Sequence, residues 1–128
     1  MSRIGSKDTH PELAVRRLLT EMGLRYRLHR RDLPGKPDIV FGPRRLVLFV
    51  HGCFWHRHRG CRLASTPSGN AAFWQTKFDA NTARDRRNTA ALKQAGWRVA
   101  VIWECETRQP ERLARRLQRL LPVVSVSA

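Results

Sequence analysis

Residues 46–50, Leu-Val-Leu-Phe-Val, form an unbroken apolar run in the first half of the chain. A β-strand that faces solvent on one side alternates apolar and polar residues, whereas a strand covered on both faces is apolar throughout. The run is far too short to span a bilayer, which needs about 20 residues. It therefore predicts a central strand of a sheet, with other elements packed on both faces.

Six further segments have the periodicity or composition of regular elements. The predicted helices cover residues 10–22, 71–95 and 110–121, and the predicted strands cover residues 25–28, 38–41, 46–50 and 97–103. Three strands follow one another directly, and the fourth comes after a long helix. This α-β-β-β-α-β-α order predicts an α/β fold with a mixed four-stranded sheet flanked by helices.

The chain carries a formal net charge of +15 at pH 7 and has a pI of about 11.6. Such a charge attracts polyanions and releases counterions when it meets phosphates, so double-stranded DNA is the expected partner. A merely basic surface without a specific ligand is the alternative. The basic residues are spread along the chain and do not form one amphipathic segment, which argues against a membrane-surface role.

The length and the N-terminal sequence predict a single cytoplasmic domain. A chain of 128 residues can bury a substantial core without disulfides. Its first eight residues are charged and lack the apolar stretch of a secretory signal. We expect one monomeric domain over residues 1–128, with a flexible arm at 1–9 and a frayed tail at 123–128.

Three of the five histidines and two of the three cysteines lie within residues 51–61. In a reducing compartment, cysteines that cluster with histidine bind metal more often than they form disulfides. Cys53, His58 and Cys61 share this segment, and Cys105 follows the last predicted strand. If the sheet brings the two strand ends together, these four residues form a closed tetrahedral site of the structural zinc type.

A second group of residues suits phosphodiester hydrolysis. Asp38 begins a strand, and a lone carboxylate in a basic groove is a suitable ligand for Mg²⁺. His51 ends the adjacent strand and His56 follows it, and a neutral imidazole can accept a proton from an attacking water. The alternatives are a turn aspartate that satisfies backbone amides, and loop histidines that only contact phosphate or solvent.

Glu12 has two interpretations. Thr9 and Glu12 occupy the two positions of a helix capping box, which favours a structural role for Glu12. If this helix packs at the end of the central strand, Glu12 instead orients His51.

Aromatic and polar residues form a candidate DNA-binding surface. Phe54 and Trp55 adjoin the predicted zinc ligands, and Trp74 heads a polar stripe along the long helix. The stripe continues through Lys77, Asn81, Arg84 and Asn88. Aromatic side chains beside a duplex act as stacking or wedge residues on bases. Core packing is the alternative, and we assign it to Trp97 and Trp103.

Six motifs of this chain are familiar as a combination. They are Leu33-Pro-Gly-Lys-Pro-Asp38, His51-Gly-Cys-Phe-Trp-His56-Arg-His58, Phe73-Trp74, Arg84-Asp-Arg-Arg87, Gly96-Trp-Arg-Val and Trp103-Glu-Cys105. Together they resemble the very-short-patch repair (Vsr) DNA mismatch endonucleases, over most of the chain. The resemblance implies the restriction-endonuclease-like fold. It also implies an enzyme that nicks DNA 5′ to the thymine of a T:G mismatch, which arises when 5-methylcytosine is deaminated.

The resemblance further implies roles for individual residues at matching motif positions. Asp38 resembles the family's metal-bridging aspartate, with the carbonyl of Val50 as a second Mg²⁺ ligand. His56 resembles its general acid-base histidine, and His51 with Glu12 resemble the pair that holds water on the metal. The structural zinc ligands correspond to Cys53, His58, Cys61 and Cys105, and the aromatic wedge corresponds to Phe54, Trp55 and Trp74.

The resulting hypothesis is a Mg²⁺-dependent, zinc-braced endonuclease that nicks one strand of duplex DNA, with mismatch-repair proteins as candidate protein partners. Two alternatives stay open. One is a nickase for defence or restriction without mismatch specificity, and the other is a zinc-stabilised DNA-binding module without hydrolytic activity. Asp38 and the two spare histidines argue against the binding module, because binding alone does not need them.

Overall fold

The computed structural model describes residues 9–65 and 68–122. Its helices and strands are α1 (His10–Glu21), β1 (Arg27–Leu28), β2 (Ile39–Phe41), β3 (Leu46–His51), α2 (Ala71–Gln94), β4 (Arg98–Trp103) and α3 (Pro110–Leu120). Short 3₁₀ turns at Arg62–Ala64 and Glu104–Arg108 complete the order. The predicted order is confirmed. Residues 1–8 and 123–128 lie outside the described part, so the arm, the tail and the single-domain assignment stay predictions.

The four strands form one mixed sheet in the order β1-β2-β3-β4. β1 pairs with β2 and β2 with β3 in antiparallel orientation, whereas β3 and β4 are parallel and are connected through α2. The register places His51 opposite Trp103. Because parallel strands end at the same edge of a sheet, the segment after His51 and the turn after Trp103 lie side by side.

The buried side chains form two clusters, and residues of β3 contribute to both. The first cluster joins residues of α1 and α3 to residues of the sheet. It includes Val15, Leu19, Leu46, Leu48, Ile102, Leu113 and Leu117. The second includes a residue of α2 and consists of Val40, Val47, Phe49, Leu92 and Trp97. Successive residues of β3 alternate between the clusters, as the two-residue period of a strand requires. β3 is therefore covered on both faces, as its apolar run predicts, and Trp97 is a core residue.

Within the described residues, none of the helices has the length and apolar composition needed to cross a membrane.

Gly35 lies where the turn before β2 meets α2 and β3. Its φ of +76° is left-handed, and a Cβ built there would lie 3.0 Å from the Cβ of Asn88 and 3.1 Å from the Cζ of Phe49. We therefore expect Gly35→Ala to lower the free energy of unfolding by about 2 kcal/mol, from backbone strain and overpacking together. Urea unfolding would measure the change.

Gly42→Ala is the matched control, because nothing lies within 4 Å of a Cβ built at Gly42 and its φ is not left-handed. The control is expected to change the unfolding midpoint little. Equal stability of the two variants would show that the turn at Gly35 rearranges without strain.

Candidate active site and zinc site

Three groups of metal-binding or acid-base side chains lie around the carboxyl end of β3. Within each group, one donor atom from every residue lies within 4.8 Å of the others. The groups are Cys53, His58, Cys61 and Cys105; His51, His56 and Asp85; and Glu12, His29 and Asp38. Most of the residues that the sequence singled out for chemistry therefore gather at one edge of the sheet.

The cysteine group has the dimensions of a tetrahedral zinc site. The Nδ1 atom of His58 lies 3.6 Å from Sγ of Cys53 and 3.5 Å from Sγ of Cys105. Zinc bonds of about 2.3 Å to sulfur and about 2.0 Å to nitrogen, at tetrahedral angles, separate S and N by about 3.5 Å. The four side chains therefore suit Zn²⁺ both in the kinds of donor atom and in the distances between them.

Neighbouring groups hold this cysteine loop in place. The backbone N–H of Cys53 donates to Oε1 of Glu104 at 3.2 Å, which joins the loop to the turn after β4. The ring of His58 stacks on Trp103, with centroids 4.2 Å apart and planes inclined by 9°. The sequence predicts core packing for Trp103, but this residue is half-buried. Its ring supports a candidate zinc ligand instead.

The thiols differ in their readiness to ionise. Burial raises the pKa of Cys53 to about 12. The pKa of Cys61 is instead lowered, chiefly by a hydrogen bond from the backbone N–H of Leu63. A metal ligand must be a thiolate, so binding of zinc at Cys53 displaces a proton.

Asp38 and Glu12 bring two carboxylates together in the third group. Oδ2 of Asp38 accepts a hydrogen bond from the backbone N–H of Val50 at 2.7 Å. Burial, and secondarily the charge of Glu12, raises the pKa of Asp38 to about 7. Glu12 is 1% exposed, and its Oε2 lies 2.7 Å from Nε2 of His29. A buried and a half-buried carboxylate at close range favour a bound cation.

The Thr9 hydroxyl accepts a hydrogen bond from the backbone N–H of Glu12 at 3.3 Å, so the predicted helix cap is present. The Glu12 carboxylate, however, lies against His29 and Asp38. His51, the residue that Glu12 was expected to orient, is grouped instead with His56 and Asp85.

His56 and Asp85 form a hydrogen-bonded pair. Nδ1 of His56 lies 2.6 Å from Oδ2 of Asp85, and the ring of His51 stacks on His56 with centroids 3.7 Å apart. The pKa of His51 is lowered to about 4, first by burial and then by repulsion from His56. Burial alone would raise the pKa of Asp85, but the hydrogen bond to His56 and its charge bring it below the ordinary value. The pair therefore suits proton transfer by the remaining ring nitrogen of His56.

An aromatic cluster lies beside these groups. The rings of Phe54, Trp55, Trp74 and Phe78 contact one another, with centroid separations from 5.1 to 6.3 Å. Trp55 is 44% exposed. An adjoining groove is lined by Trp55, Phe73, Trp74, Lys77, Ala80, Asn81 and Arg84. Most of the predicted polar stripe thus shares one surface with the aromatic residues, whereas Asn88 packs at Gly35.

Comparison with known proteins identifies the family. The sequence model described as DNA mismatch endonuclease Vsr matches residues 1–62. The type II nicking enzyme V.XorIIP of Xanthomonas oryzae pv. oryzae is 56% identical over 121 residues, which cover 94% of this chain and 88% of that protein. The chain belongs to the Vsr endonuclease family. It is a DNA endonuclease, and its sheet and helices are those expected for the restriction-endonuclease-like fold of the family.

Two further Vsr-family relatives extend the comparison. The DNA mismatch endonuclease Vsr of Escherichia coli is 43% identical over 113 residues, which cover 88% of this chain and 72% of that protein. The type II nicking enzyme V.NmeAIP of Neisseria meningitidis is 41% identical over 121 residues, which cover 94% and 86% respectively.

Two residues of the candidate site, Asp85 and His29, were not assigned roles from the sequence. Asp85 was not part of the predicted polar stripe, but it lies four residues after Asn81 on α2 and within the Arg84-Asp-Arg-Arg87 motif, and these were the available signals. His29 had no such signal, because only the pairing of β1 with β2 brings it to Asp38, whose carbonyl accepts the backbone N–H of His29 at 3.0 Å.

Proposed function

We propose that this endonuclease nicks one strand of duplex DNA 5′ to the thymine of a T:G mismatch, with a divalent cation at Asp38 and a structural zinc ion. The observation that carries the proposal is the convergence of Asp38, the His56–Asp85 pair and the exposed aromatic groove at one edge of the sheet. The name of the E. coli relative, a DNA mismatch endonuclease, supports the specificity.

Asp38, with the carbonyl of Val50, would hold the catalytic cation. The hydrogen bond from the Val50 N–H fixes one carboxylate oxygen, and the nearby Glu12 adds negative charge. When bound, Mg²⁺ would polarise the scissile phosphate and offset the charge that develops on it. Glu12 and Asp38 are the carboxylates suited to this role, because oxygen ligands are those Mg²⁺ prefers.

His56 would accept the proton of the attacking water. Its Nδ1 is engaged by Asp85, which fixes the ring orientation and leaves Nε2 as the atom that exchanges a proton. The neutral, buried ring of His51 stacks against His56 and restrains its position. The chain's own groups thus supply both an oriented base and a negatively charged cation site.

The aromatic cluster would open the duplex beside the mismatch. Phe54, Trp55 and Trp74 present contiguous rings next to the proposed catalytic groups. A mismatched base pair costs less to unstack than a matched one, which lets a wedge select for it. Lys77 and Arg84 along the same groove would contact phosphates.

The deciding experiment compares one DNA sequence as a T:G duplex and as matched T:A and C:G duplexes, each labelled on both strands. We expect Mg²⁺-dependent cleavage of the T-containing strand alone, at the phosphodiester 5′ to the mismatched thymine. Cleavage of both strands, or nicking that survives removal of divalent cations by EDTA, would contradict the proposal.

A second candidate function is a nickase that recognises a sequence without requiring a mismatch. The names of two relatives, both type II nicking enzymes, favour it. Equal nicking of the matched and mismatched duplexes in the same experiment would support this candidate over mismatch repair.

We predict that Trp55→Ala weakens binding to T:G duplex by about 10- to 100-fold, because base stacking on an aromatic residue contributes about 1–3 kcal/mol. Fluorescence anisotropy in Ca²⁺ buffer would measure the dissociation constant. Leu13→Ala is the control, since Leu13 is a comparably exposed apolar residue on α1. Equal affinity of the two variants for T:G duplex would show that Trp55 does not act as a wedge residue.

We predict that Asp85→Asn lowers the single-turnover nicking rate by about 10²-fold with little change in DNA affinity, because His56 loses the partner that orients it. Asp79→Asn is the control on the same helix, where the Asp79 carboxylate contacts only the exposed Gln75 among the hydrogen bonds of the described residues. A rate equal to that of the control would show that Asp85 has no part in the reaction.

A further inference from the structure

His29 has no role in the reaction proposed above, yet it lies within the acidic cluster. Its side chain is 18% exposed, and Nε2 lies 2.7 Å from Oε2 of Glu12. The strand pairing holds its backbone against Asp38 at 3.0 Å. Donor atoms of Glu12, His29 and Asp38 all lie within 4.8 Å of one another.

We propose that His29, through Nε2, is a ligand of the cation that Asp38 holds, together with Glu12, and that this site therefore prefers Mn²⁺ to Mg²⁺. The inference rests on the proposed function, because the cation is the one assigned there to Asp38. It adds a nitrogen ligand to a site otherwise made of oxygen.

The spacing of the three donor atoms fits one ion. Ligand bonds of about 2.1 Å place donors on opposite sides of a cation about 4.2 Å apart. Donors at right angles are about 3.0 Å apart at the same bond length. No two of the three donors are more than 4.8 Å apart, and the Glu12 oxygen and His29 Nε2, now 2.7 Å apart in a hydrogen bond, would separate slightly to take adjacent positions on one ion. The three donors also come from three separate places in the chain, α1, the residue after β1 and the residue before β2, so the fold itself assembles the site.

The donor chemistry sets the preference among ions. Mg²⁺ is a hard cation that takes oxygen ligands, and it gains little from an imidazole. Mn²⁺ binds carboxylates as Mg²⁺ does but, as a transition-metal ion, gains more from an imidazole, so a site with two carboxylates and one imidazole favours Mn²⁺ over Mg²⁺. An additional protein ligand also leaves fewer positions for water, which suits Mg²⁺ poorly because it dehydrates reluctantly.

The local charge is compatible with a dication. Glu12 and Asp38 contribute two carboxylates, and Arg16 Nη1 lies 3.4 Å from the Glu12 oxygen that also faces His29. Arg16 offsets part of the negative charge, and its side chain is 25% exposed.

The test measures metal binding to the full-length, zinc-loaded protein without DNA. Mn²⁺ titration followed by electron paramagnetic resonance gives the affinity, competition with Mg²⁺ gives the preference, and electron spin echo modulation detects a ¹⁴N nucleus bound to Mn²⁺. We expect one imidazole coupling in the unmodified protein and a preference for Mn²⁺ of about tenfold or more.

His29→Gln is expected to remove the ¹⁴N coupling and to weaken Mn²⁺ binding by about 10- to 100-fold, with a smaller effect on Mg²⁺. His10→Gln is the control, because His10 is an exposed histidine at the start of α1. Absence of the coupling in the unmodified protein would overturn the inference. So would equal weakening of Mn²⁺ and Mg²⁺ by His29→Gln, which would make His29 a residue that only positions Glu12.

Asp38→Asn separates this inference from the proposed function. If it abolishes Mn²⁺ binding while His29→Gln leaves the affinity unchanged, His29 is not a ligand but the cation site at Asp38 stands. If Asp38→Asn leaves Mn²⁺ binding unchanged, the cation site of the proposed function is itself wrong.

Discussion

Asp38→Asn is expected to lower the nicking rate by about 10³-fold or more. The variant keeps the shape of the side chain and an oxygen that accepts the Val50 N–H, but it removes the charge that would hold the cation. Loss of a catalytic cation forfeits several kcal/mol of transition-state stabilisation, and each 1.4 kcal/mol corresponds to about tenfold in rate. Single-turnover cleavage of T:G duplex in saturating Mg²⁺ would measure the effect.

The same variant is expected to be more stable than the unmodified protein when Mg²⁺ is absent. Burial raises the pKa of Asp38 to about 7 from its ordinary value of 3.8, so the folded state favours the neutral form. Stability from this group is therefore fully present below pH 4 and is lost as the pH rises through 7, by roughly 4 kcal/mol for a shift of about three pKa units. Asparagine is neutral at every pH, and the loss does not occur.

Thermal unfolding in Mg²⁺-free buffer at pH 4 and pH 8 would test this expectation. The two proteins should unfold at similar temperatures at pH 4, and the variant should unfold at the higher temperature at pH 8. Added Mg²⁺ should stabilise only the unmodified protein at pH 8. A variant that is less stable at both pH values would show that the ionised Asp38 carboxylate does not destabilise the folded protein.

Asp32→Asn is the matched control for the Asp38 experiments. The Asp32 side chain is 62% exposed and pairs with Arg30, away from the acidic cluster. The Asp32→Asn substitution removes one carboxylate from the same region of the chain, as Asp38→Asn does. If Asp32→Asn lowered the nicking rate as much as Asp38→Asn, the effect would be one of overall charge and not of cation binding.

Cys53→Ser is expected to abolish zinc binding and to lower the unfolding temperature by about 10 °C or more. Cys53 is fully buried, and its thiolate is one of four donors around a single position. Structural zinc contributes directly to folding free energy, and loss of about 3 kcal/mol corresponds to a change of this size for a domain of this length. Metal analysis of the purified protein and thermal unfolding would measure both effects.

The loop beyond Cys53 carries Phe54 and Trp55, so Cys53→Ser is also expected to weaken DNA binding. Strong chelation of zinc from the unmodified protein should reproduce the stability of the variant, and the variant itself should not respond to the chelator. Cys61→Ser gives a second variant at a half-exposed candidate ligand, for use where Cys53→Ser does not fold. Full stability of both variants without zinc would refute a structural metal.

Two kinds of sequence signal predicted features of this protein. Periodicity predicted the secondary structure, and the clustering of rare residues predicted metal-binding chemistry. The apolar run of β3, the long helix α2 and the β4 strand define an α/β order, because an element's periodicity is imposed by its own backbone. The Cys53, His58 and Cys61 cluster was also visible, because these ligands lie within one loop. The family then follows from motifs that are local in sequence.

Tertiary structure was needed wherever distant segments meet. Only the parallel pairing of β3 with β4 brings Cys105 to His58, and only the pairing of β1 with β2 brings His29 to Asp38. Glu12 shows the limit most clearly, since its sequence position is that of a capping residue, whereas packing of α1 buries its carboxylate against His29. The chain by itself therefore determined the elements and the kinds of chemistry. The fold decided which groups act together, because side-chain contacts across a sheet depend on register and packing and not on sequence distance.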